Sequence, residues 1–265
     1  MTRRTPPAPT LPQERQQWIL DRLRRDGRVV AAELAAEYAV TADSLRRDLR
    51  ELAAQGLCRR VYGGALPVST GSAPLAERRA ERLARKQALA RKAVELVRAG
   101  QVLLIDAGST NAAIAAALPA RQSLTVITNA PDVAAAVYER EGFEVLLLGG
   151  RLAPRIGGTV GVQPLAELRQ LHADLCFPGA CAFDAATGLW GFDSDEVLLK
   201  RAMLAASTEA VVVVTSEKLG IRATHRVAAT SAVRHLVVEQ ATPRGVRAAF
   251  AAKGVEVLRA AAPGG

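Results

Sequence analysis

The chain has 265 residues, 49% of them hydrophobic, so it is long enough for one large or two small domains with apolar cores. Its net charge is +9, and the surplus is confined to the N-terminal part: residues 1–100 contain 20 Lys and Arg against 11 Asp and Glu, whereas residues 101–265 contain 15 of each. A basic region joined to a neutral body is typical of a polyanion-binding module attached to a second domain. Composition alone leaves open an ordinary charged surface.

The cysteine pattern and the hydropathy exclude two classes of protein. Cys58, Cys176 and Cys181 are odd in number and form no CxxC pair, so we expect no disulfide framework, no metal site and no cofactor. Reduced thiols indicate a cytoplasmic protein. The N-terminus lacks the apolar segment of a secretory signal, and no apolar run reaches the ~18 residues of a membrane helix, so no membrane partner is expected.

Three helices are predicted before residue 56, the second of them from about Val30 to Tyr38. The third carries the most information. Thr41 is a favourable N-cap residue for it, and Leu45, Leu49 and Leu52 recur at i, i+4 and i+7, so these leucines share one face. Arginines on the other faces contact phosphates or guanine, and short polar side chains allow close approach to a major groove. The pattern predicts the recognition helix of a helix-turn-helix, with an amphipathic surface helix as the alternative. The DNA-contacting residues predicted on it are Thr41, Ser44, Arg46, Arg47 and Arg50.

The segment after Gly56 predicts a basic β-hairpin. Residues 57–65 form a strand, a glycine turn at Gly63-Gly64 and a return strand, with Arg59 and Arg60 placed to contact phosphate beside the groove.

The N-terminal segment resembles the DeoR-type winged helix-turn-helix. In that family the recognition helix typically reads Ser-x-x-Thr-Ile-Arg-Arg-Asp-Leu and the wing reads Arg-x-His-Gly-Gly-Ala. Here Ser44 replaces threonine, Leu45 replaces isoleucine and Tyr62 replaces histidine. The resemblance implies a double-stranded DNA operator as partner and adds Tyr62 to the predicted DNA-contacting residues.

The domain plan follows from composition shifts. We predict a DNA-binding domain over residues 12–66, a hinge and connecting helix over residues 67–99, and an α/β domain over residues 100–260. The connecting segment predicts one long basic helix from Leu75 to Ala99. It is either a DNA-facing connector or, as we favour, a helix packed on the next domain with a charged outer face.

The body alternates apolar strands with helices, which predicts a parallel sheet covered on both faces, a Rossmann-like α/β fold. Strands are predicted at residues 102–105, 124–128, 145–148, 174–178, 211–215 and 235–239, with a further strand at 255–258.

Polar turns follow several of these strands, where open α/β sheets bind ligands. The turn at residues 106–111 enters a helix, and its backbone N–H groups predict an anion cradle. It is neither a P-loop nor a GxGxxG motif, and a simple capped helix is the alternative. Lys218 or Arg151 would add charge, while Asp106, Asn129 and either Asp195 or Glu196 would hold hydroxyls. The effector-binding residues predicted from these turns are Asp106, Gly108, Ser109, Thr110, Asn111, Asn129, Gly150, Arg151, Glu196 and Lys218, and the resemblance described next adds Lys200.

The body also resembles the effector domain of DeoR-type regulators, which is similar to ribose-5-phosphate isomerase. The matching motifs include Asp106–Thr110, Thr128-Asn129-Ala130 and Lys200–Met203. Cys181 stands where the family has aspartate, and Trp190–Asp193 replaces Thr-Thr-Pro-Asn. The resemblance implies a phosphorylated small metabolite as effector, with these departures changing the ligand.

The residues and the resemblance together predict a DNA-binding regulator, a repressor of carbohydrate metabolism genes that a phosphorylated sugar or related metabolite releases. Two half-sites require a homo-oligomer, a dimer or larger. We expect no enzyme activity and no catalytic residue, since Cys181 replaces a candidate acidic group. The alternatives are an isomerase-like enzyme with a nucleic-acid tether and a body that only dimerises.

Overall fold

A computed structural model describes residues 11–26, 29–61, 63–67, 74–80, 82–120 and 123–262. The chain divides into two compact units, with the boundary between Ser69 and Thr70. Tyr62 and most of the predicted hinge lie outside the described residues. Among the residues described, no helix has the length and apolar character needed to span a membrane.

The first unit contains three helices and a small antiparallel sheet. Its elements are α1 (Pro12–Asp26), β1 (Val29–Val30), α2 (Ala31–Glu37), α3 (Ala42–Ala54), β2 (Cys58–Val61) and β3 (Gly64–Pro67). β3 lies between β1 and β2, so the predicted β-hairpin is confirmed. β1 was not predicted: Val30 was assigned to the start of the second helix, but it has extended backbone angles and α2 begins one residue later.

The predicted inward face of α3 is confirmed. Leu45, Leu49 and Leu52 are buried in one cluster with side chains of α1 and α2, including Ile19 and Leu34. A cluster of this kind holds the three helices together through burial of apolar surface. The outer faces of α3 therefore remain available for polar residues.

The ends of α3 are where the sequence placed them. The Thr41 side chain accepts a hydrogen bond from the Ser44 backbone N–H at 3.2 Å, which is the predicted N-cap. At the other end Gly56 has φ +70°, a backbone conformation that glycine adopts without steric cost.

The second unit is an α/β domain with several small additions. Its elements are α4 (Leu75–Ala80), α5 (Leu83–Val94), β4 (Val102–Ile105), α6 (Ser109–Ala117), β5 (Leu124–Thr128), α7 (Pro131–Val137), β6 (Phe143–Leu147), β7 (Arg151–Ala153), β8 (Gly158–Val160), α8 (Val162–Leu168), β9 (Ala173–Phe177), β10 (Ala182–Asp184), β11 (Gly188–Gly191), α9 (Ser194–Ala205), β12 (Ser207–Val213), β13 (His225–Ala228), β14 (His235–Val238), α10 (Arg244–Ala251) and β15 (Glu256–Arg259). Seven strands form one sheet in the order β15-β14-β12-β9-β4-β5-β6, and every pair in it is parallel.

The predicted parallel sheet with helices on both faces is confirmed. Along β4, Leu103 and Ile105 pack in the cluster that contains residues of α5, α6 and α7. Leu104 points the other way and packs with Leu199 and Met203 of α9. This alternation is why the central strands are apolar at every position.

The long helix predicted from Leu75 to Ala99 is wrong in its extent. The structure has two helices, α4 and α5, and Arg82 between them has φ +53°, a left-handed conformation that interrupts a helix. The packing favoured from sequence is confirmed for α5, whose Ala88, Leu89 and Ala93 are buried against the sheet domain. Only tertiary contacts distinguish the break, since no Gly or Pro marks it in the sequence.

Candidate DNA-binding surface and sensor cleft

The exposed side of α3 carries arginines, two of which form ion pairs with exposed carboxylates of the same helix. The Arg46 side chain is 63% exposed and lies 2.8 Å from Asp43, and the Arg47 side chain is 77% exposed and lies 3.2 Å from Glu51. The Arg50 Nε donates to the Arg46 carbonyl oxygen at 3.4 Å. Exposed pairs of this kind contribute little to stability, about 0–1 kcal/mol, so a phosphate can displace them.

Asp48, inside the arginine motif, has a different role from its neighbours. It is buried, and its carboxylate forms a bidentate ion pair with Arg15 of α1, one bond of which is 3.0 Å long. The hydrogen bond to Asp48 is the main cause of the raised pKa of Arg15. Sequence reasoning missed this tie, although Asp48 follows Leu45 by three positions and therefore lies on the inward face.

The β2–β3 hairpin places Arg60 at an exposed position opposite Ala65. Gly64 is required where β3 meets β1, since a Cβ there would lie 1.8 Å from the Val29 carbonyl oxygen. The side chain of Arg59 and all of Tyr62 lie outside the part of the chain that is described.

A polar cleft lies in the second unit at the carboxyl ends of strands β4, β9 and β12. It encloses about 340 Å³, including space open to solvent. Six predicted effector-binding residues line it. Four belong to the loop and first helical turn after β4, one is Lys218 after β12, and one is Glu196 of α9. The lining residues are Arg78, Ala107, Gly108, Ser109, Thr110, Asn111, Gly179, Ala180, Cys181, Glu196, Val213 and Lys218.

The start of α6 forms one wall of the cleft. Gly108 is the N-cap residue, with φ +146°, and it offers no side chain to cap the first-turn N–H groups of Ser109, Thr110 and Asn111, which line the cleft. The Asn111 side-chain amide donates to the Asp106 carbonyl oxygen at 2.9 Å and to the Phe177 carbonyl oxygen at 2.8 Å. Asn111 therefore joins the ends of β4 and β9 and fixes the loop, and its Nδ2 is already occupied.

A cluster of buried charged side chains lies next to the cleft lining and holds its loops in position. The Asp106 carboxylate accepts hydrogen bonds from the backbone of Ala107 at 2.7 Å and of Gly179 at 2.8 Å, and it pairs with Lys200. The Lys200 ammonium also lies 2.9 Å from Glu196 Oε1. Burial lowers the pKa of Lys200, but Asp106 and Glu196 outweigh it, so the pKa is raised and the lysine stays charged.

This cluster separates the predicted residues into two groups. Asp106 and Lys200 are fully buried and are not part of the lining, whereas Glu196 both pairs with Lys200 and reaches the cleft. Asp106 and Lys200 hold backbone and side chains in position, and Glu196 is the group of the three that a ligand can touch.

Three other predicted residues lie outside the lining. Asn129 is buried behind the loop, where it accepts from the Ala107 N–H and donates to the Thr159 carbonyl oxygen, both at 3.1 Å. Gly150 packs close to Pro164, and the exposed Arg151 lies 3.5 Å from Asp195. The structure therefore does not bring Asn129, Gly150 or Arg151 to the cleft.

Cys181 and Lys218 follow β9 and β12 in the chain, and both also line the cleft. The Lys218 ammonium donates to the Ala180 carbonyl oxygen at 2.9 Å, and burial lowers the pKa of this lysine. Cys181 Sγ lies 3.8 Å from Glu196 Oε1. Burial, and then the negative charge of Glu196, raise the pKa of Cys181 to about 11, so the thiol is neutral at pH 7.

The two departures from the family pattern have different outcomes. Cys181 lines the cleft. Trp190 does not line it, and its Nε1 donates to Thr187 Oγ1 at 3.1 Å. Asp193 caps α9 by accepting from the backbone of Asp195 and Glu196, each at 3.0 Å. Only the cysteine therefore changes the chemistry that a ligand meets.

Sequence reasoning did not assign Arg78, Ala180 or Val213 to the cleft. Ala180 and Val213 carry no chemical signal. Arg78 lies among several arginines of α4 and α5, and its spacing alone did not separate it from the outward-facing ones.

The comparisons with known proteins agree with this two-unit plan. Residues 15–70 match the DeoR-like helix-turn-helix domain, and residues 81–240 match the DeoR C terminal sensor domain. The glycerol-3-phosphate regulon repressor of Escherichia coli K12 is 34% identical over 234 residues, which cover 88% of this chain and 93% of that protein. A putative aga operon transcriptional repressor of Escherichia coli O157:H7 is 32% identical over 250 residues, covering 92% and 93%.

Among solved structures, a ribose 5-phosphate isomerase A of Methanocaldococcus jannaschii matches with a TM-score of 0.37 and 17% identity, over 52% of this chain and 55% of that one. This likeness is too weak to support a functional argument. The two domain matches and the near full-length relatives do support one: the chain belongs to the DeoR family of helix-turn-helix transcriptional regulators.

Proposed function

We propose that this protein is a transcriptional repressor of carbohydrate metabolism genes, and that a small phosphorylated metabolite bound in the sensor cleft releases it from DNA. In this proposal residues 12–66 bind the operator, residues 67–99 connect, and residues 100–260 bind the effector. The observation that carries the effector half is the convergence of the α6 N-terminus and Lys218 on one cleft. N–H groups at a helix start and a nearby lysine are a favourable environment for phosphate.

For the DNA half, α3 enters the major groove and the β2–β3 hairpin contacts the flanking backbone. The arginines of α3 leave their intrahelical partners for phosphate or guanine, at little cost in folding free energy because those pairs are exposed. The proposed contacts are Thr41, Ser44, Arg46, Arg47, Arg50, Arg59, Arg60 and Tyr62. Two copies of α3 in a homo-oligomer read two half-sites of a double-stranded operator.

For the effector half, the phosphate lies against the backbone of Ser109, Thr110 and Asn111 with Lys218 adding charge, and Glu196 accepts from a hydroxyl. The relative named as a glycerol-3-phosphate regulon repressor supports polyol and sugar phosphates as the class to test. The neutral thiol of Cys181 removes one negative charge from the cleft relative to the aspartate usual in the family, which favours an anionic ligand.

Release follows from linkage between the two ligands. An effector that binds more tightly to a sensor state in which the paired recognition helices mismatch the half-sites weakens operator binding by the same factor. The proposal does not include catalysis. Among the described residues that line the cleft, Glu196 is the one that carries a carboxylate. Its ion pair with Lys200 leaves it poorly suited as a general base.

The test is an operator-release assay on the full-length protein. DNA ligands are first selected from a random duplex library, and the best sequence is labelled for fluorescence anisotropy. Glycerol 3-phosphate and a panel of hexose and pentose phosphates are then titrated singly, with glycerol and the unphosphorylated sugars as controls. We expect at least one phosphorylated compound, and no unphosphorylated one, to release the DNA. Absence of any release would reject the sensing half, and absence of any selected sequence would reject the DNA half.

A further inference from the structure

Arg78 reaches the sensor cleft from an element outside the parallel sheet. It lies on α4, and it lines the same cleft as Lys218 and Cys181. Its Nη2 donates to the Arg155 carbonyl oxygen at 3.4 Å in an exposed hydrogen bond. Burial is the main cause of the lowered pKa of Lys218, and the positive charge of Arg78 adds to it. The two cations are therefore close enough to repel each other.

The described lining of the cleft contains one carboxylate beside these two basic side chains. Glu196 is the carboxylate of the described lining, and its Oε1 lies 2.9 Å from the Lys200 ammonium. An anion placed between Arg78 and Lys218 would relieve their repulsion and accept charge-assisted hydrogen bonds from both side chains.

α4 also packs, through its first residue, on a segment that is adjacent to the cleft loop. The Leu75 side chain fits against Gly157, where an added Cβ would lie 1.9 Å from Leu75 Cδ2, and the Leu75 N–H donates to the Arg155 carbonyl oxygen at 3.1 Å. The next residue, Gly158, packs against the cleft loop, since a Cβ there would lie 2.8 Å from the Ala107 Cβ. The position of α4 is therefore coupled to the loop that forms the anion cradle.

A second connection between α4 and the cleft is formed by ion pairs of the residue next to Lys218. Glu217, the neighbour of Lys218, lies 2.7 Å from the Arg82 guanidinium and 3.0 Å from that of Arg85. Arg82 is the left-handed residue at the junction of α4 and α5. Ion pairs and packed side chains of this kind transmit a displacement only when the element they hold has two arrangements, and a ligand selects one of them by its differential contacts.

We propose that Arg78 contacts the bound anion directly. Through this contact, binding of the anion changes the position of α4, and α4 transmits that change along the chain toward the DNA-binding unit. This rests on the proposed function, and it adds the residue and the helix through which the sensor acts. The chain path supports it: β3 ends at Pro67 and α4 begins at Leu75, so residues 68–74 alone connect this helix to the last strand of the first unit.

The first experiment measures anion affinity in the full-length protein. Isothermal titration with glycerol 3-phosphate, and separately with inorganic phosphate, is performed on the wild type, Arg78→Gln, Arg78→Lys and the control Arg79→Gln. Arg79 is on the same helix, has the same charge, and pairs with Asp132 instead of lining this cleft. We expect Arg78→Gln to weaken binding about tenfold or more, as for loss of a hydrogen bond to a charged group. Arg78→Lys retains part of the affinity, and Arg79→Gln stays within about twofold.

The second experiment compares backbone hydrogen exchange in the wild type and in Arg78→Gln. Hydrogen exchange of the wild type is followed by mass spectrometry with and without saturating glycerol 3-phosphate. We expect slower exchange in peptides that span α4 as well as in those that span the start of α6, and in Arg78→Gln the α4 effect is lost.

The outcomes separate the two levels of the proposal. If the wild type binds the anion but Arg78→Gln and Arg79→Gln bind it equally well, the role of Arg78 is overturned and the proposed function stands. If exchange slows at α6 but not at α4, the relay is overturned. If the wild type binds neither anion, both this inference and the proposed effector class are rejected.

Discussion

The two units use charge in opposite ways. The α3 surface carries arginines on exposed side chains, paired with carboxylates that solvent also reaches. The sensor cleft is supported by Lys200, Asp106 and Glu196, of which the first two are fully buried. Exposed charges cost little to hold and exchange partners readily, whereas buried charges cost much to desolvate and stay fixed once paired. A surface that meets a large polyanion needs the first arrangement, and a cleft that selects a small ligand needs the second.

Breaking the buried cluster gives the largest expected effect. Lys200→Met leaves Asp106 buried without its cation, and we expect a loss of about 3–5 kcal/mol in the unfolding free energy of the sensor unit, as for other broken buried pairs. Urea unfolding followed by circular dichroism measures it, with Arg151→Met as the exposed control, for which less than about 1 kcal/mol is expected. A loss below 1 kcal/mol for Lys200→Met would mean that the cluster is not structural.

Truncating one exposed arginine of α3 should leave stability intact but weaken operator binding. Arg47→Ala should weaken binding to the selected operator by about 1–3 kcal/mol, the range for loss of one base-directed arginine contact, and change the unfolding free energy by less than about 0.5 kcal/mol. Anisotropy and urea unfolding are measured on the same samples. Unchanged operator affinity would place the recognition surface elsewhere than α3.

Asp48 tests the boundary between these two kinds of charge, because it lies within the arginine motif but is buried. Asp48→Asn should destabilise the first unit by about 1–3 kcal/mol through loss of its ion pair with Arg15. Any loss of operator binding should be restored at low temperature, where the unit remains folded. A variant that stays as stable as the wild type yet binds DNA poorly would show that Asp48 contacts DNA.

Lys218 is expected to act on the effector response alone. Lys218→Ala should retain operator affinity within about twofold while the effector concentration needed for half-release rises about tenfold, as for loss of one charge-assisted hydrogen bond. The release assay with glycerol 3-phosphate measures both quantities. An unaltered response would move the phosphate site away from Lys218.

The smallest expected effect is a pH dependence. Burial lowers the pKa of Lys218 below the ordinary lysine value, so its charge is lost at a lower pH than the charge of an exposed lysine. A phosphate monoester is already doubly charged above pH 7, so a decline of its affinity between neutral pH and about 10 reports the lysine. Lys218→Arg should abolish the decline, since arginine stays protonated. A wild-type affinity that is flat over this range would contradict the assignment.

The sequence by itself determined the elements whose signals are local. The leucine spacing of α3, its Thr41 cap and the glycines of the hairpin predicted the first unit. Continuous apolar strands predicted the parallel sheet, and the loop after β4 predicted one wall of the cleft. Each of these rests on a periodicity or a backbone preference that neighbouring residues impose on one another.

The tertiary structure decided which polar residues face a ligand and which support the fold. Sequence spacing placed Asp106, Asn129 and Lys200 with Glu196 and Lys218, and only the packing shows the first three buried beneath or behind the cleft. It also showed that α4 separates from α5 and brings Arg78 to the cleft. The reason is physical. Burial and charge pairing depend on side chains that are far apart in the chain, and the sequence of a single strand or helix does not specify which distant residues will pack against it.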